Sequence, residues 1–324
     1  MGLPRRSDVS HVPGRRGAAR WLPGLVVAAL ALGLAACSSS ASPTGTQAAP
    51  GNSAPSAASP KAGTSAAGTG AAAAVPRPGH VVVVVLENRA YQQVIGSPDA
   101  PFLNGLARDG ALFTQSYAIT HPSEPNYLAL FSGSTHGVTS DACPLTFSSP
   151  NLASGLLAAG DTFVGYAEAL PGVGSTLCLD GEYARKHVPW VNFTNVPASV
   201  SQPFSSFPAD FASLPTVSFV IPNLCSDMHD CSVATGDSWL RTHLGGYVTW
   251  AMTHDSLLVV TFDEDDGSGP NLIPTIFVGQ QVRPGRYRER ITHYSVLATI
   301  EAAYGLARDG NAASTAPITD IWHS

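Results

Sequence analysis

The sequence predicts an α/β fold, a mainly parallel central sheet with helices on both faces. Three observations carry that expectation. The runs at 80–86 (HVVVVVL), 216–221 (TVSFVI) and 256–262 (SLLVVTF) are mostly apolar rather than strictly alternating, the pattern of strands covered on both sides. Segments with helix-start signals lie between them, as crossover helices must in a parallel sheet. Residues 80–324, which contain all of this, are long enough to bury one substantial core.

The residues before that stretch do not fit the fold. Residues 1–36 carry Arg5, Arg6, Arg15, Arg16 and Arg20 against a single acid, Asp8. Residues 21–36 are apolar, rich in Ala and Gly, with Pro23 and Gly24 near the start. They are too short for a good spanning helix and read as the core of a signal peptide. The run ends Leu34-Ala35-Ala36-Cys37, which resembles a bacterial lipobox; Cys37 is then the lipidated residue and the new N-terminus. The plainer alternative is a secretory signal with a chance cysteine. Arg15-Arg16 hints at twin-arginine export. Residues 37–79 are dominated by Ser, Ala, Gly, Thr and Pro and contain no aromatic side chain. Such a segment cannot bury enough apolar surface to offset its ordering entropy. It reads as a disordered tether with a reach of roughly 35 Å. Residues 80–324 then form one folded domain outside the cytoplasm, anchored to the outer face of the bacterial cell membrane.

The formal net charge of −6 hides an asymmetry. Residues 80–324 hold 22 of the 23 acids but only 10 of the 17 bases, a net of −12. That field repels phosphate backbones at long range and argues against nucleic-acid binding. Beyond Cys37 the cysteines are Cys143, Cys178, Cys225 and Cys231, and an even count in an exported domain suggests two disulfides. Of three possible connectivities, Cys225–Cys231 closes a small loop and leaves Cys143–Cys178. A zinc site is the rival reading, but no spacing resembles a CxxC knuckle.

In chain order, the strand at 80–86 precedes a helix at 101–108 and a strand at 111–118. A helix over 123–132 has Pro125 in its first turn. A helix at 151–159 leads to a strand at 162–166, and a helix over 237–254 separates the strands at 216–221 and 256–262. A strand at 272–278, a polar loop and a closing helix at 295–305 complete the domain. There is no internal repeat.

Ligands of open parallel sheets bind at the carboxyl ends of the strands. Glu87, Asn88 and Arg89 follow the first strand; Asp263, Glu264, Asp265 and Asp266 follow 256–262; Asp227, His229 and Asp230 follow 216–221. Three acidic clusters gathered there would repel one another without a cation, and oxygen ligands with histidine suit a divalent metal. The bland alternative is solvated loop acids. Ser123, in His121-Pro122-Ser123-Glu124-Pro125-Asn126-Tyr127, falls at a helix N-terminus, where free N–H groups favour anions. Its hydroxyl could attack phosphorus, and Asn126, one turn on, could donate to a phosphoryl oxygen; alternatively Ser123 is simply an N-cap. His293, in Thr292-His293-Tyr294, could face the same site, and His187, in Lys186-His187-Val188-Pro189-Trp190, is a further candidate. His136 and His254 lack supporting neighbours.

Glu87-Asn88-Arg89, Pro122-Ser123-Glu124-Pro125-Asn126-Tyr127, Asp227-Met228-His229-Asp230, Thr261-Phe262-Asp263-Glu264 and Thr292-His293-Tyr294 together resemble the bacterial phosphoesterase family of acid phosphatases and phospholipases C. That family is similar to the alkaline phosphatase superfamily, and the resemblance spans residues 80 to about 306. It implies an alkaline-phosphatase-like fold and one or two divalent metal ions. Glu87, Asn88, Asp263 and Glu264 would be ligands, and Ser123 would be the nucleophile bound to the metal. Asn126 would steady phosphoryl oxygens. Asp227, His229 and His293 would lie around a second metal position or act on the leaving group, with His293, His229 or His187 as the general acid. Two departures stand out: Asp227 and His229 are two apart where nucleotide pyrophosphatases have a spacing of four, and an Asp-Glu pair replaces Asp-His. The implied activity is an acid-phosphatase-like phosphomonoesterase forming a phosphoseryl intermediate, on a small phosphoester or phospholipid, working as a monomer. The alternatives are a phospholipase C-type phosphodiesterase, a non-enzymatic solute-binding lipoprotein and a catalytically dead surface adhesin.

Overall fold

The computed structural model describes residues 75–323; the signal peptide, Cys37 and nearly all of the tether lie outside them. The chain runs β1 (His80–Leu86), α1 (Tyr91–Val94), α2 (Pro101–Asp109), β2 (Ala111–Tyr117), α3 (Ser123–Ser132), α4 (Leu152–Ala158) and β3 (Phe163–Ala167). A hairpin of β4 (Leu179–Asp180) and β5 (Tyr183–Ala184) follows, then β6 (Ser201–Pro203), β7 (Val217–Ile221) and α5 (Val233–Ala251). The last elements are β8 (Ser256–Phe262), β9 (Thr275–Gly279), β10 (Gly285–Thr292) and α6 (His293–Ala303).

Eight strands make one sheet in the order β10-β2-β9-β8-β1-β7-β3-β6. Only β9 runs antiparallel to its neighbours, so the mainly parallel expectation holds. The valine run of β1 lies between β7 and β8, and its side chains alternate between two cores. Val81, Val83 and Val85 join the core under α3, α4 and α6, whereas Val82, Val84 and Leu86 join the one under α2 and α5. A strand covered on both faces has no reason to alternate in polarity, which is why β1 reads as continuous valine.

Helix ends explain the boundaries. Ser232 caps α5, accepting from the Thr235 N–H at 3.2 Å, and starts that helix four residues before the expected Asp237. Gly133 ends α3 at φ +69°, where an added Cβ would lie 2.0 Å from the Asp309 carbonyl, so only glycine fits. Four expectations are corrected. Residues 75–79 belong to the domain rather than the tether: Val75 packs on the core, Arg77 bonds Asp161 at 2.7 Å and Gly79 N–H donates to Asp255 O. The polar loop before α6 contains β10, an edge strand whose charged residues Arg286, Arg288, Glu289 and Arg290 hid it, as edge strands often do. β9 begins at Thr275, Leu272 making only an isolated bridge to Tyr117. The closing helix starts at His293, two residues early, with the Ser295 hydroxyl accepting from the Thr292 N–H at 3.1 Å. Both disulfides pair as expected, Cys143–Cys178 and Cys225–Cys231.

Candidate active site

The carboxyl ends of β1, β7 and β8 bring the expected acids together. Glu87 follows β1 and is fully buried, its N–H donating to Asp227 O at 2.8 Å. Asp263 and Glu264 follow β8, and Asp263 Oδ1 accepts from the Asn88 N–H at 3.0 Å. Asn88 takes φ +50°, the left-handed bend that turns the chain off β1 toward that carboxylate. Asp227 lies after β7 in the loop closed by Cys225–Cys231, and its Oδ1 accepts from the His229 N–H at 2.7 Å.

Ser123 is the first residue of α3, and its side chain does not cap the helix. The hydroxyl instead donates toward Glu87 Oε2 at 3.1 Å and Glu264 Oε1 at 3.3 Å. Tyr127, one turn along α3, donates its hydroxyl to Glu87 Oε1. His187 stacks on Tyr127, with its Nε2 3.1 Å from Glu87 Oε1 and its Nδ1 3.3 Å from Asp227 Oδ2. Neither contact has hydrogen-bond geometry: His187 Nε2 and Asp227 Oδ2 are buried without partners, as are Asp263 Oδ2 and His293 Nδ1. Four orphaned polar atoms in one cluster are costly unless something else engages them.

Burial dominates the electrostatics. It pushes the Glu87 carboxyl well above the usual range, helped by the charges of Asp263 and Asp227. Asp227 and Asp263 are raised for the same first reason, and Glu264 is raised to about 8 by burial and then by Asp263. Burial holds His187 well below the usual histidine range and His293 at about 4. Both imidazoles are therefore neutral. His293 donates from Nε2 to the Asp263 carbonyl at 2.7 Å, which leaves the Nδ1 lone pair free. Buried carboxylates that resist ionising beside neutral imidazoles with free lone pairs are the donor set of a divalent cation. Ligand atoms of Glu87, His187 and His229 all lie within 4.8 Å of one another. The residues present thus fit a metal.

Two expectations are redirected. Asn126 spends its amide locally: Nδ2 donates to Thr120 O at 2.8 Å and Pro122 O at 3.1 Å, and Oδ1 accepts from the N–H groups of Ile119 and Thr120. A contact to Glu264 Oε2 at 3.5 Å completes its set, so it fixes the loop carrying Ser123 rather than standing free for a phosphoryl oxygen. Arg89 does not face the site as a free cation; its guanidinium donates to the carbonyls of Asn88, Met228 and Cys231. His136 and His254 stack on Phe147 and Trp250 and take no part in the cluster.

Sequence reasoning missed three neighbours. Lys186 lies 2.9 Å from Asp141 and 3.5 Å from His229, and its charge draws down the carboxyls of Glu87, Asp227 and Glu264. His121, 42% exposed, reaches Glu264 Oε2 at 2.7 Å and Asp265 Oδ1 at 3.4 Å. Tyr127 is the third. His121 stands two residues before Ser123 and Tyr127 four residues after it in the same motif, and the second spacing places Tyr127 on the Ser123 face of α3.

The family model for the Phosphoesterase family matches residues 96–307. The chain is 59% identical over 254 residues to a phosphatidylinositol-3-phosphatase from Mycobacterium tuberculosis, covering 78% of this chain and 85% of that protein. It is 31% identical to an acid phosphatase from Aspergillus fumigatus over 74% of this chain, and spans 57% of that longer protein. Among solved structures, an alkaline phosphatase superfamily protein from Vibrio parahaemolyticus shares the fold at TM-score 0.52 and 14% identity, covering 74% of this chain and 71% of that one. The lipoteichoic acid synthase LtaP from Listeria monocytogenes does so at 0.51 and 12%, with coverage of 72% and 73%.

Proposed function

The chain belongs to the phosphoesterase family and hydrolyses phosphoric esters, and on that premise we propose a divalent-metal-dependent phosphomonoesterase with Ser123 as nucleophile. The observation that carries the reading is the Ser123 hydroxyl at the head of α3, aimed between Glu87 and Glu264 inside the ring of buried acids. Glu87, Asp263, Glu264 and Ser123, with His187, Asp227 and His229 opposite, would hold the metal. Bound there, a divalent cation supplies Lewis-acid stabilisation of phosphoryl oxygens and lowers the pKa of a hydroxyl in contact with it.

The chain's own residues do the rest. Glu87 and Glu264 stand within reach of the Ser123 proton and keep Oγ pointed along one direction. Oγ attacks phosphorus, the ester P–O bond breaks, and water later hydrolyses the phosphoseryl group. Asn126 keeps the 119–122 loop in place during both displacements. A leaving alkoxide needs a proton; His187 and His293 are held neutral and His229 is among the residues that would hold the metal, so the rim histidine His121 is the donor in this reading. The relative named phosphatidylinositol-3-phosphatase favours a phosphate monoester on a lipid headgroup as substrate, over a phosphodiester. The two disulfides favour an oxidising compartment, in keeping with export and with a lipid anchor at Cys37, the protein acting as a monomer.

Ser123→Ala should abolish hydrolysis of a chromogenic phosphomonoester, and acid-quenched wild-type enzyme should carry phosphate on Ser123 by mass spectrometry. Unimpaired turnover in the variant would end the assignment. Chelator treatment should silence the enzyme and manganese, magnesium or calcium restore it; full activity after exhaustive chelation would remove the metal.

A further inference from the structure

Among the described residues, the three most exposed large apolar side chains are Leu179 (67%), Val173 (58%) and Leu177 (55%). All stand in the segment between β3 and β5, Leu179 as the first residue of β4. Residues 171–179 (PGVGSTLCL) contain no charged side chain, although the domain around them is strongly acidic. Three exposed aliphatic residues within nine uncharged ones, on a surface that otherwise carries so much charge, mark an interaction site rather than scattered surface.

The loop is held, not loose. Cys178 is bonded to Cys143, the Gly174 N–H donates to Ser201 O at 3.0 Å, and β4 pairs with β5. It also borders the active site. β5 runs directly into Arg185, Lys186 and His187, and Asp141, two residues before Cys143, pairs with Lys186 and accepts from the Glu124 N–H beside Ser123. On its other flank the loop leaves Leu170, in the wall of an apolar groove of about 700 Å³ that Phe204, Phe207 and Phe211 also line. The loop therefore stands between the groove and the edge of the catalytic cluster, tied to the latter by the Arg185 N–H donating to Cys178 O at 3.0 Å.

We infer that residues 171–179 dock into a lipid surface, Val173, Leu177 and Leu179 entering the boundary between headgroups and acyl chains, and so present a membrane-borne phosphomonoester to Ser123. This rests on the lipid-headgroup reading above. The occupant is a bilayer because the patch is uncharged, held by the Cys143–Cys178 bond and bonded to Arg185 beside His187, next to the site where a lipid phosphate would have to arrive. The net charge of −12 on residues 80–324 gives no attraction to anionic lipid, so the docking is apolar and insensitive to salt.

The test uses the chain from residue 38 onward, so that neither the apolar run 21–36 nor a lipid at Cys37 contributes, with and without Val173→Ser, Leu177→Ser and Leu179→Ser together. All three positions are exposed, and the fold should not change. Parent protein should co-sediment with phosphatidylcholine vesicles equally at low and high salt, and the triple variant should bind them at least about tenfold more weakly. Hydrolysis of phosphatidylinositol 3-phosphate in those vesicles should fall in proportion, while hydrolysis of a soluble chromogenic phosphomonoester stays unchanged. Separately, Leu177→Trp should show a blue-shifted emission on adding vesicles. Equal vesicle binding by parent and triple variant, or no binding by the parent to protein-free vesicles, overturns the docking, the latter pointing to a protein partner. Soluble turnover that survives Ser123→Ala instead overturns the catalytic reading and leaves the vesicle result standing.

Discussion

Glu264 gives the sharpest quantitative test of the acid cluster. Burial and the Asp263 charge raise its carboxyl from 4.5 to about 8 when no cation is bound. A folded-state pKa above the unfolded value means that the native protein keeps a proton the unfolded chain has released, so stability falls as pH rises between those two values. His293 works in the opposite sense, since its pKa is depressed to about 4, but it acts only below its ordinary 6.5. From pH 6.5 to about 8 the acids act alone. Over that interval the full effect of Glu264 is ~2 kcal/mol at ~1.4 kcal/mol per pH unit, and water at the site mouth reduces it to about 1 kcal/mol. For a domain of this size that is a Tm change of about 2–4 °C. The measurement is thermal unfolding of chelator-treated wild type and Glu264→Gln at intervals across the window. Wild type should lose about 2–4 °C more than the variant. The distant Glu301, also raised to about 8, is common to both proteins and cancels. A saturating divalent cation should reverse the wild-type slope, since it binds the deprotonated cluster. Parallel curves for the two chelated proteins would refute the argument that Glu264 is buried among like charges.

Three further outcomes follow from the geometry. Asn126→Ala removes the clamp on residues 119–122; it should cost about 2–3 kcal/mol in urea unfolding and lower kcat more than it raises KM. Gly165→Ala puts a Cβ 2.2 Å from the Trp190 ring, and overpacking of about 2–3 kcal/mol should appear as a lowered midpoint of denaturation. Replacing Cys225 and Cys231 by Ser frees the loop bearing Asp227 and His229; calorimetric titration should show divalent-cation affinity down about tenfold or more. Global stability should move much less, because so short a loop constrains the unfolded chain weakly.

The parts of the molecule visible in the sequence are those where chemistry and local pattern coincide. β1, β7 and β8 are buried on both faces, so their apolar runs could not be mistaken, and the acids following them had to lie at one sheet edge. β10 escaped because an edge strand needs charge where a central strand needs valine. Lys186 escaped because its role depends on Asp141, 45 residues away, and on a loop position set by the Cys143–Cys178 bond. The local bonds of Asn126 escaped because nothing in Pro125-Asn126-Tyr127 shows that the preceding loop folds back to engage both ends of the amide. Polar side chains can serve the backbone or a ligand, and sequence pattern does not separate the two.

The distribution of positive charge bears on the proposal that a cation occupies the site. Residues 80–324 carry 10 basic side chains, and two of those nearest the cluster are committed elsewhere. Arg89 donates to three carbonyls, and buried Arg185 donates to Asn192 and to the carbonyls of Thr176 and Leu145. Among the described residues, Lys186 turns its charge toward Glu87, Asp227, Asp263 and Glu264, and it is shared with Asp141. With one ammonium beside four buried acid groups, burial and mutual repulsion hold the carboxyls toward their protonated forms, and whichever of them ionise repel a phosphate monoester approaching Ser123. On the proposed reading those same groups are the oxygen ligands a divalent ion would need, and its binding would displace their protons and reverse the sign of the field that the substrate meets.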